Sequence, residues 1–217
     1  ALSGSCSATT REQVAYHATR HPTREVVAAE IIDGALTPGE VASWLLGSDG
    51  VPLAYSSADP ETVQQVQQQF GRERSAEALE GFFAEVARLA VEGGATRVIS
   101  AGGETSGAVV EGLWLDALGI GPEIDPGVPA LRAGPDLVVA LKSGNFGAVD
   151  FFEKADAILA GTALVLGFAT AKTGPYVSLA NTNMIAVTMA VEEINAAGGV
   201  NGKPINEYFA RPVLQMI

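Results

Sequence analysis

Three times in this chain a short strand pattern runs through glycine and hydroxyl residues straight into a helix, and that repetition constrains the fold more than any other feature. The clearest case spans Val98 to Leu118. Its β-branched start, Val98-Ile99-Ser100, enters Ala101-Gly102-Gly103-Glu104-Thr105-Ser106-Gly107, and an apolar helical pattern begins at once. A strand that turns through glycines into a helix offers unpaired backbone N–H groups and the positive end of the helix dipole. Glycine also lets an anion approach the main chain closely. Thr105 or Ser106 is expected to cap the helix. Two readings stay open here, a phosphate site or a tight strand-to-helix turn. A Walker-type loop is excluded, because no Gly-Lys-Ser/Thr closes the run.

The other two transitions sit near the ends of the first 160 residues. Leu2-Ser3-Gly4-Ser5-Cys6-Ser7 leads into a helix for which Ser7 or Thr9 is the expected cap. Leu137-Val138-Val139-Ala140-Leu141 is a continuous apolar strand of the kind covered on both faces. It passes through Lys142-Ser143-Gly144-Asn145-Phe146-Gly147 to a helix from Phe151 to Leu159. Between them, Leu36–Leu46 reads as a helix opened by Thr37-Pro38, Val51–Ser56 as a strand, and Glu61–Phe70 as a solvated helix. Ala76–Val91 carries Leu79, Phe82, Phe83, Val86 and Leu89 at helical spacing and is expected to pack on the sheet. Glu123 and Asp125 alternate with apolar residues, as on the solvent side of an edge strand; a carboxylate pair for metal or acid–base work is the alternative. The expected fold is α/β, a mostly parallel sheet flanked by helices. Parallel strands would bring all three loops to one rim, where such sheets bind ligands.

A net charge of −12 argues against a nucleic-acid partner. The single cysteine, Cys6, excludes an internal disulfide and a cysteine-built zinc site. His17 and His21 share a helix face but read as solvated surface residues, so no metal site is expected. No signal-peptide pattern opens the chain, and the apolar run from Ile158 to Ala169 is too short and glycine-broken to span a membrane. The start at Ala1, without Met, is expected of a piece of something longer. Residues 161–217 carry three basic and three acidic residues, so the whole negative charge lies before Gly161. A domain boundary is expected at 158–163, giving domains 1–160 and 161–217.

The first 160 residues resemble the C-terminal nucleotide-binding domain of the four-carbon acid sugar kinase family. The runs that carry this are Leu2–Ser7, Tyr55–Pro60, Ala101–Gly107, Gly121–Pro129, and Leu141–Gly147 with Phe151-Phe152. The last run is most similar to the 3-oxo-tetronate branch. The resemblance implies a kinase that phosphorylates a 3-oxo-tetronate, threonate or erythronate type of acid sugar, with ATP and Mg²⁺ as cofactors and a cytoplasmic setting. It places ATP phosphates on Gly102, Gly103, Glu104, Thr105, Ser106 and Gly107, with hydroxyls from Ser5 or Ser7. Gly144, Asn145 and Gly147 would close over the nucleotide, and Glu104 would orient Mg²⁺. ATP or ADP and the acid sugar are the implied partners, with a homo-oligomer left open. The family's sugar-binding domain, where the catalytic residues are expected, has no match in these residues, so they are expected to be inactive alone.

The tail resembles something else. Leu164–Ala169 reads as a strand, Lys172-Thr173-Gly174-Pro175-Tyr176 as a loop, and Asn181–Asn195 as a helix whose apolar face includes Ile185, Val187, Met189, Val191 and Ile194. With Glu192-Glu193-Ile194-Asn195-Ala196-Ala197-Gly198-Gly199 and the Val200–Lys203 turn, this is similar to the first βα unit of a type I periplasmic solute-binding protein of the branched-chain amino acid kind. A solute-binding module is therefore the alternative function. The tail is too short to close a ligand cleft, and a fused or truncated reading frame is expected.

Overall fold

The computed structural model describes residues 1–56, 60–161, 164–167, 188–198 and 205–208. The chain divides into two compact units, Ala1–Ala160 and Gly161–Ile217. In the first, the strands are β1 Leu2–Ser3, β2 Thr23–Glu25, β3 Leu53–Tyr55, β4 Arg97–Ala101, β5 Gly119–Asp125, β6 Val128–Arg132 and β7 Val138–Lys142. The helices are α1 Ala8–Ala18, α2 Ala28–Ile32, α3 Pro38–Gly47, α4 Pro60–Phe70, α5 Arg72–Glu92, α6 Gly103–Gly112 and α7 Phe151–Gly161. The sheet runs β2-β3-β1-β4-β7-β6-β5. Its first five strands are parallel, and β6 and β5 extend it antiparallel. The fold is thus α/β with a mostly parallel sheet.

Successive side chains point to opposite faces of a strand, and the central strands are apolar on both. Leu53, Ile99 and Ala140 join Val14, Phe151, Phe152 and Leu159 in the layer made with α1 and α7. Ala54, Val98 and Val139 join Val41, Phe82, Phe83, Val86 and Val109 in the layer made with α3, α5 and α6. Phe83 and Phe151 are fully buried, one on each side. Local signals fix the helix starts. The Ser7 side chain accepts from Thr10 N at the head of α1, and Thr37 and Glu40 form a capping box on α3 with Pro38 in its first turn; each such cap is worth about 1 kcal/mol.

The edge strand departs from the simple alternation. Register shifts between Ile120 and Glu123 and between Glu123 and Asp125 break the pattern of β5 against β6. Glu123 is exposed and accepts from Gly127 N at 2.7 Å, whereas Asp125 is buried and paired with Lys154. The expectation that both carboxylates face solvent fails for Asp125.

In the second unit β8, Leu164–Gly167, pairs in parallel with β9, Ile205–Tyr208, in the register Leu164↔Ile205. Helix α8 covers residues 188–196. Val191 is buried there, while Met189 and Ile194 are exposed. The expected Lys172–Tyr176 loop and the start of the expected 181–195 helix lie outside the described residues. Among the described residues no helix is long and apolar enough to cross a membrane.

Candidate functional site

The strand register sets the site. Ser3 pairs with Tyr55 and with Ala101, and Ala101 pairs with Lys142, so β3, β1, β4 and β7 all end in one row. From that row β1 turns into α1 on one face of the sheet, while its neighbour β4 turns into α6 on the other. Adjacent parallel strands whose connections diverge leave a crevice at their C-terminal ends. The chain is drawn tight across it. Gly4 N donates to Ala101 O at 3.0 Å, and Gly102 N donates to Lys142 O at 2.8 Å. A Cβ at Gly4 would collide with Thr105 Oγ1, and one at Gly102, whose φ is +124°, would sit 3.2 Å from Ser5 N. Glycine at these two places is dictated by chain approach.

The head of α6 is open. Its N-cap is Gly102, and no side chain caps it. Thr105 and Ser106, expected as caps, lie inside the first turn instead, because the helix begins at Gly103. Their hydroxyls turn inward: Ser106 Oγ lies 3.1 Å from Ser100 Oγ, and Thr105 is buried beside Gly4 and Gly102. Gly103, Glu104 and Gly107 are exposed, and a Cβ at Gly103 would meet nothing within 4 Å. A cavity of about 230 Å³ opens beside this helix head. Gly4, Cys6, Ser56, Glu104 and Thr105 line one side, and Val26, Val63, Val66 and Leu79 supply an apolar wall. Ser56 Oγ is buried there without a hydrogen-bond partner. Glu25 and Glu80 also line it, with Arg72 as a cation. Burial, and then the charge of Glu104, holds the Glu80 carboxyl above its ordinary range. Another cavity, of about 290 Å³, lies at the opposite end of the sheet against Ala1, Thr96 and Arg97, away from all three glycine loops.

The loop after β7 is built differently. The Gly144 carbonyl accepts from Ser7 Oγ at 2.6 Å, from Thr10 Oγ1 at 2.7 Å and from Lys142 Nζ at 3.4 Å. Gln13 Nε2, fully buried, stands 2.9–3.0 Å from the carbonyls of Phe146, Gly147 and Ala148. Asp125 Oδ2 accepts from Ala148 N at 3.0 Å. A Cβ at Gly144 would strike Ser5 Oγ, and Gly147, with φ +84°, is pressed against Phe151. Of the three expected contacts in this loop, Asn145 is exposed and Gly144 and Gly147 are partly buried. The structure therefore brings Glu104 and Thr105 onto the cavity with Gly4, while Ser5, Ser7 and Gly144 are joined to one another beside α1 and Gly147 is held by Gln13 and Phe151.

One residue escaped the reading of the sequence. Lys142 is 2% exposed, donates to Thr10 Oγ1 at 3.0 Å, and has no carboxylate partner among the described residues. Burial lowers its pKa to about 8. The available signal was a lone lysine ending an apolar strand directly before a glycine loop. His17 also departs from expectation. It is 1% exposed, not solvated, because α7 packs Phe152 against it at 5.3 Å between ring centroids.

A family described as nucleotide-binding C-terminal domain matches residues 1–152. A 3-oxo-tetronate kinase of Brucella melitensis is 44% identical over 161 residues, covering 72% of this chain and 37% of that protein. One of Pectobacterium atrosepticum is 43% identical, covering 71% and 38%. A crystal structure of a Haemophilus influenzae protein superposes with a TM-score of 0.69 at 37% identity, covering 73% of this chain and 39% of that one. The chain thus spans less than two fifths of the length of the curated relatives it matches.

Proposed function

The chain belongs to the family of nucleotide-binding C-terminal domains, and from that premise we propose that residues 1–160 bind MgATP as the nucleotide half of a kinase acting on a four-carbon acid sugar of the 3-oxo-tetronate type. The observation that carries the reading is the uncapped head of α6, with open space at Gly103, facing the crevice between β1 and β4. Backbone N–H groups of Gly103, Glu104 and Thr105 would receive phosphate oxygens at the positive end of the helix dipole. The cavity fits the rest of a nucleotide. Its apolar wall of Val26, Val63, Val66 and Leu79 suits a base, and the unpartnered Ser56 hydroxyl offers a hydrogen bond to a bound polar group. Three carboxylates on the wall would repel a bare triphosphate, so a divalent cation is needed, and Glu104 is the side chain placed to hold it or its waters. Mg²⁺ would supply charge neutralisation of the phosphates.

In this reading Ser7, Gly144 and Gly147 act by holding loops, and Lys142 adds a positive potential behind the rim. The acid sugar and the catalytic base would come from the part of a full-length relative that this chain does not match. Phosphoryl transfer requires nucleophile, metal and γ-phosphate to be held together. The chain alone is expected to bind MgATP without phosphorylating sugar, and sugar-dependent ADP release by the purified protein would refute that. Calorimetric titration of MgATP into the chain tests the site itself: saturable one-site binding is expected. Gly103→Val should remove that binding while circular dichroism shows an intact fold. Unchanged ATP affinity in the variant sinks the loop assignment.

A further inference from the structure

At the far end of α1 two imidazoles and a carboxylate converge. His17, His21 and Glu153 each bring a ligand atom within 4.8 Å of the other two. His17 Nε2 lies 2.7 Å from Val51 O, so Nε2 carries the proton and donates it to that carbonyl. The other ring nitrogen, Nδ1, is then a lone pair, and it is buried with no partner. Glu153 Oε1 is likewise buried without a hydrogen bond. The nearest side-chain nitrogens to it stand off, His21 Nε2 at 3.5 Å and Arg20 Nε at 3.7 Å. Val51 precedes the N-terminal end of β3, whereas the glycine loops follow C-terminal strand ends, so this cluster is separate from the nucleotide crevice.

We infer that His17 Nδ1, His21 and Glu153 form a binding site for a divalent transition metal of the zinc class. Two neutral imidazoles and one carboxylate are a zinc donor set that leaves a fourth position for water. The hydrogen bond from His17 Nε2 to Val51 is the outer support such ligands need, because it fixes the tautomer and aims Nδ1. Tetrahedral zinc with arms of about 2.0–2.2 Å holds neighbouring ligand atoms about 3.4 Å apart. The His21–Glu153 distance already meets that spacing. His21 lies beyond the last residue of α1 and is partly exposed; its ring stacks on that of His17 at 4.6 Å between centroids, so metal binding requires the His21 ring to turn until its nitrogen and His17 Nδ1 face one ion. Arg20 is the competitor for Glu153. Its guanidinium is held mainly elsewhere, 3.8 Å from the Tyr16 ring centroid and hydrogen-bonded to Tyr16 O and Thr19 Oγ1. The bound ion would clip α1 to α7 and to the segment entering β3.

Zn²⁺ alone, titrated into the full chain after removal of bound metal with a chelator, tests the site. One equivalent should bind and raise the unfolding temperature. Co²⁺ in its place should give visible absorption of a nitrogen–oxygen site without a thiolate band. His21→Ala and Glu153→Gln alter partly exposed side chains, so both should keep the circular dichroism spectrum while losing at least about tenfold in Zn²⁺ affinity. Cys6→Ser should bind as the parent does. No saturable uptake by the parent chain, unchanged affinity in either ligand variant, or loss of binding in Cys6→Ser would each overturn the assignment.

Discussion

The loops after β4 and after β7 are written in the same residues, glycine and hydroxyls between an apolar strand and a helix, yet they use glycine for opposite ends. At Gly144 the space left by the missing side chain is filled by the protein itself, by Ser5 and Ser7. At Gly103 the same space is empty, and the next two residues, Glu104 and Thr105, line the cavity beside α6. The hydroxyls divide in the same way. Ser7 and Thr10 spend theirs on the Gly144 carbonyl, whereas Ser56 keeps an unpaired one at the cavity. A glycine-rich loop is thus a ligand loop only where the vacated volume is left to something outside the chain. Where neighbouring chain fills that volume, the glycine is a packing residue.

Gly144→Val attacks the closed loop and carries the largest expected effect. Its side chain would displace Ser5 and Ser7 and separate donors from a carbonyl that accepts three hydrogen bonds. A loss of about 3 kcal/mol in urea unfolding is expected, combining overpacking with unsatisfied polar groups. Stability equal to the parent's would mean that the two loops do not close on each other in solution.

Lys142→Met tests the same closure by pH. In the folded chain the ammonium titrates at about 8, against the ordinary 10.5 once unfolded. Between those values the unfolded state binds more protons, so stability rises with pH through this window and is lower below it. The variant removes the titrating group. Its stability relative to the parent should therefore fall progressively as pH is raised from 8 to 10.5, measured as paired urea midpoints. A constant difference across the window would place Lys142 in water, outside the loop junction.

The contrast between the loops was half legible in the sequence. The parallel strands, the three loops and the helices that follow them announced themselves through continuous apolar runs, glycines and caps such as Thr37-Pro38. What decided the use of each loop was not local. Whether a Cβ at 103 or 144 meets protein depends on where β1 lies relative to β4 and β7, and no spacing within one loop reveals that. Short elements were silent for the same reason. β2 is Thr23-Arg24-Glu25, half-buried with no apolar run, and β6 contains Pro129, which reads as a turn. Simple alternation puts Asp125 on the wrong side because register shifts, invisible as residue types, reset the alternation of β5. His17 reads as a surface residue because Phe152, 135 positions later, covers it only once α7 docks.

Gly103→Ala is the smallest change and separates the two loops most sharply. The residue opens α6 at a φ that any side chain adopts, and its Cβ would touch nothing within 4 Å. Replacing glycine by alanine at a compatible helical position reduces the freedom of the unfolded chain, so stability should stay level or rise by about 0.5 kcal/mol. The alanine methyl would nevertheless stand where phosphate oxygens must approach the backbone. MgATP affinity should weaken while the urea midpoint does not fall. A drop in stability of the kind expected at Gly144 would show that the space at Gly103 is occupied by chain, and the distinction between an open and a closed glycine loop would be lost.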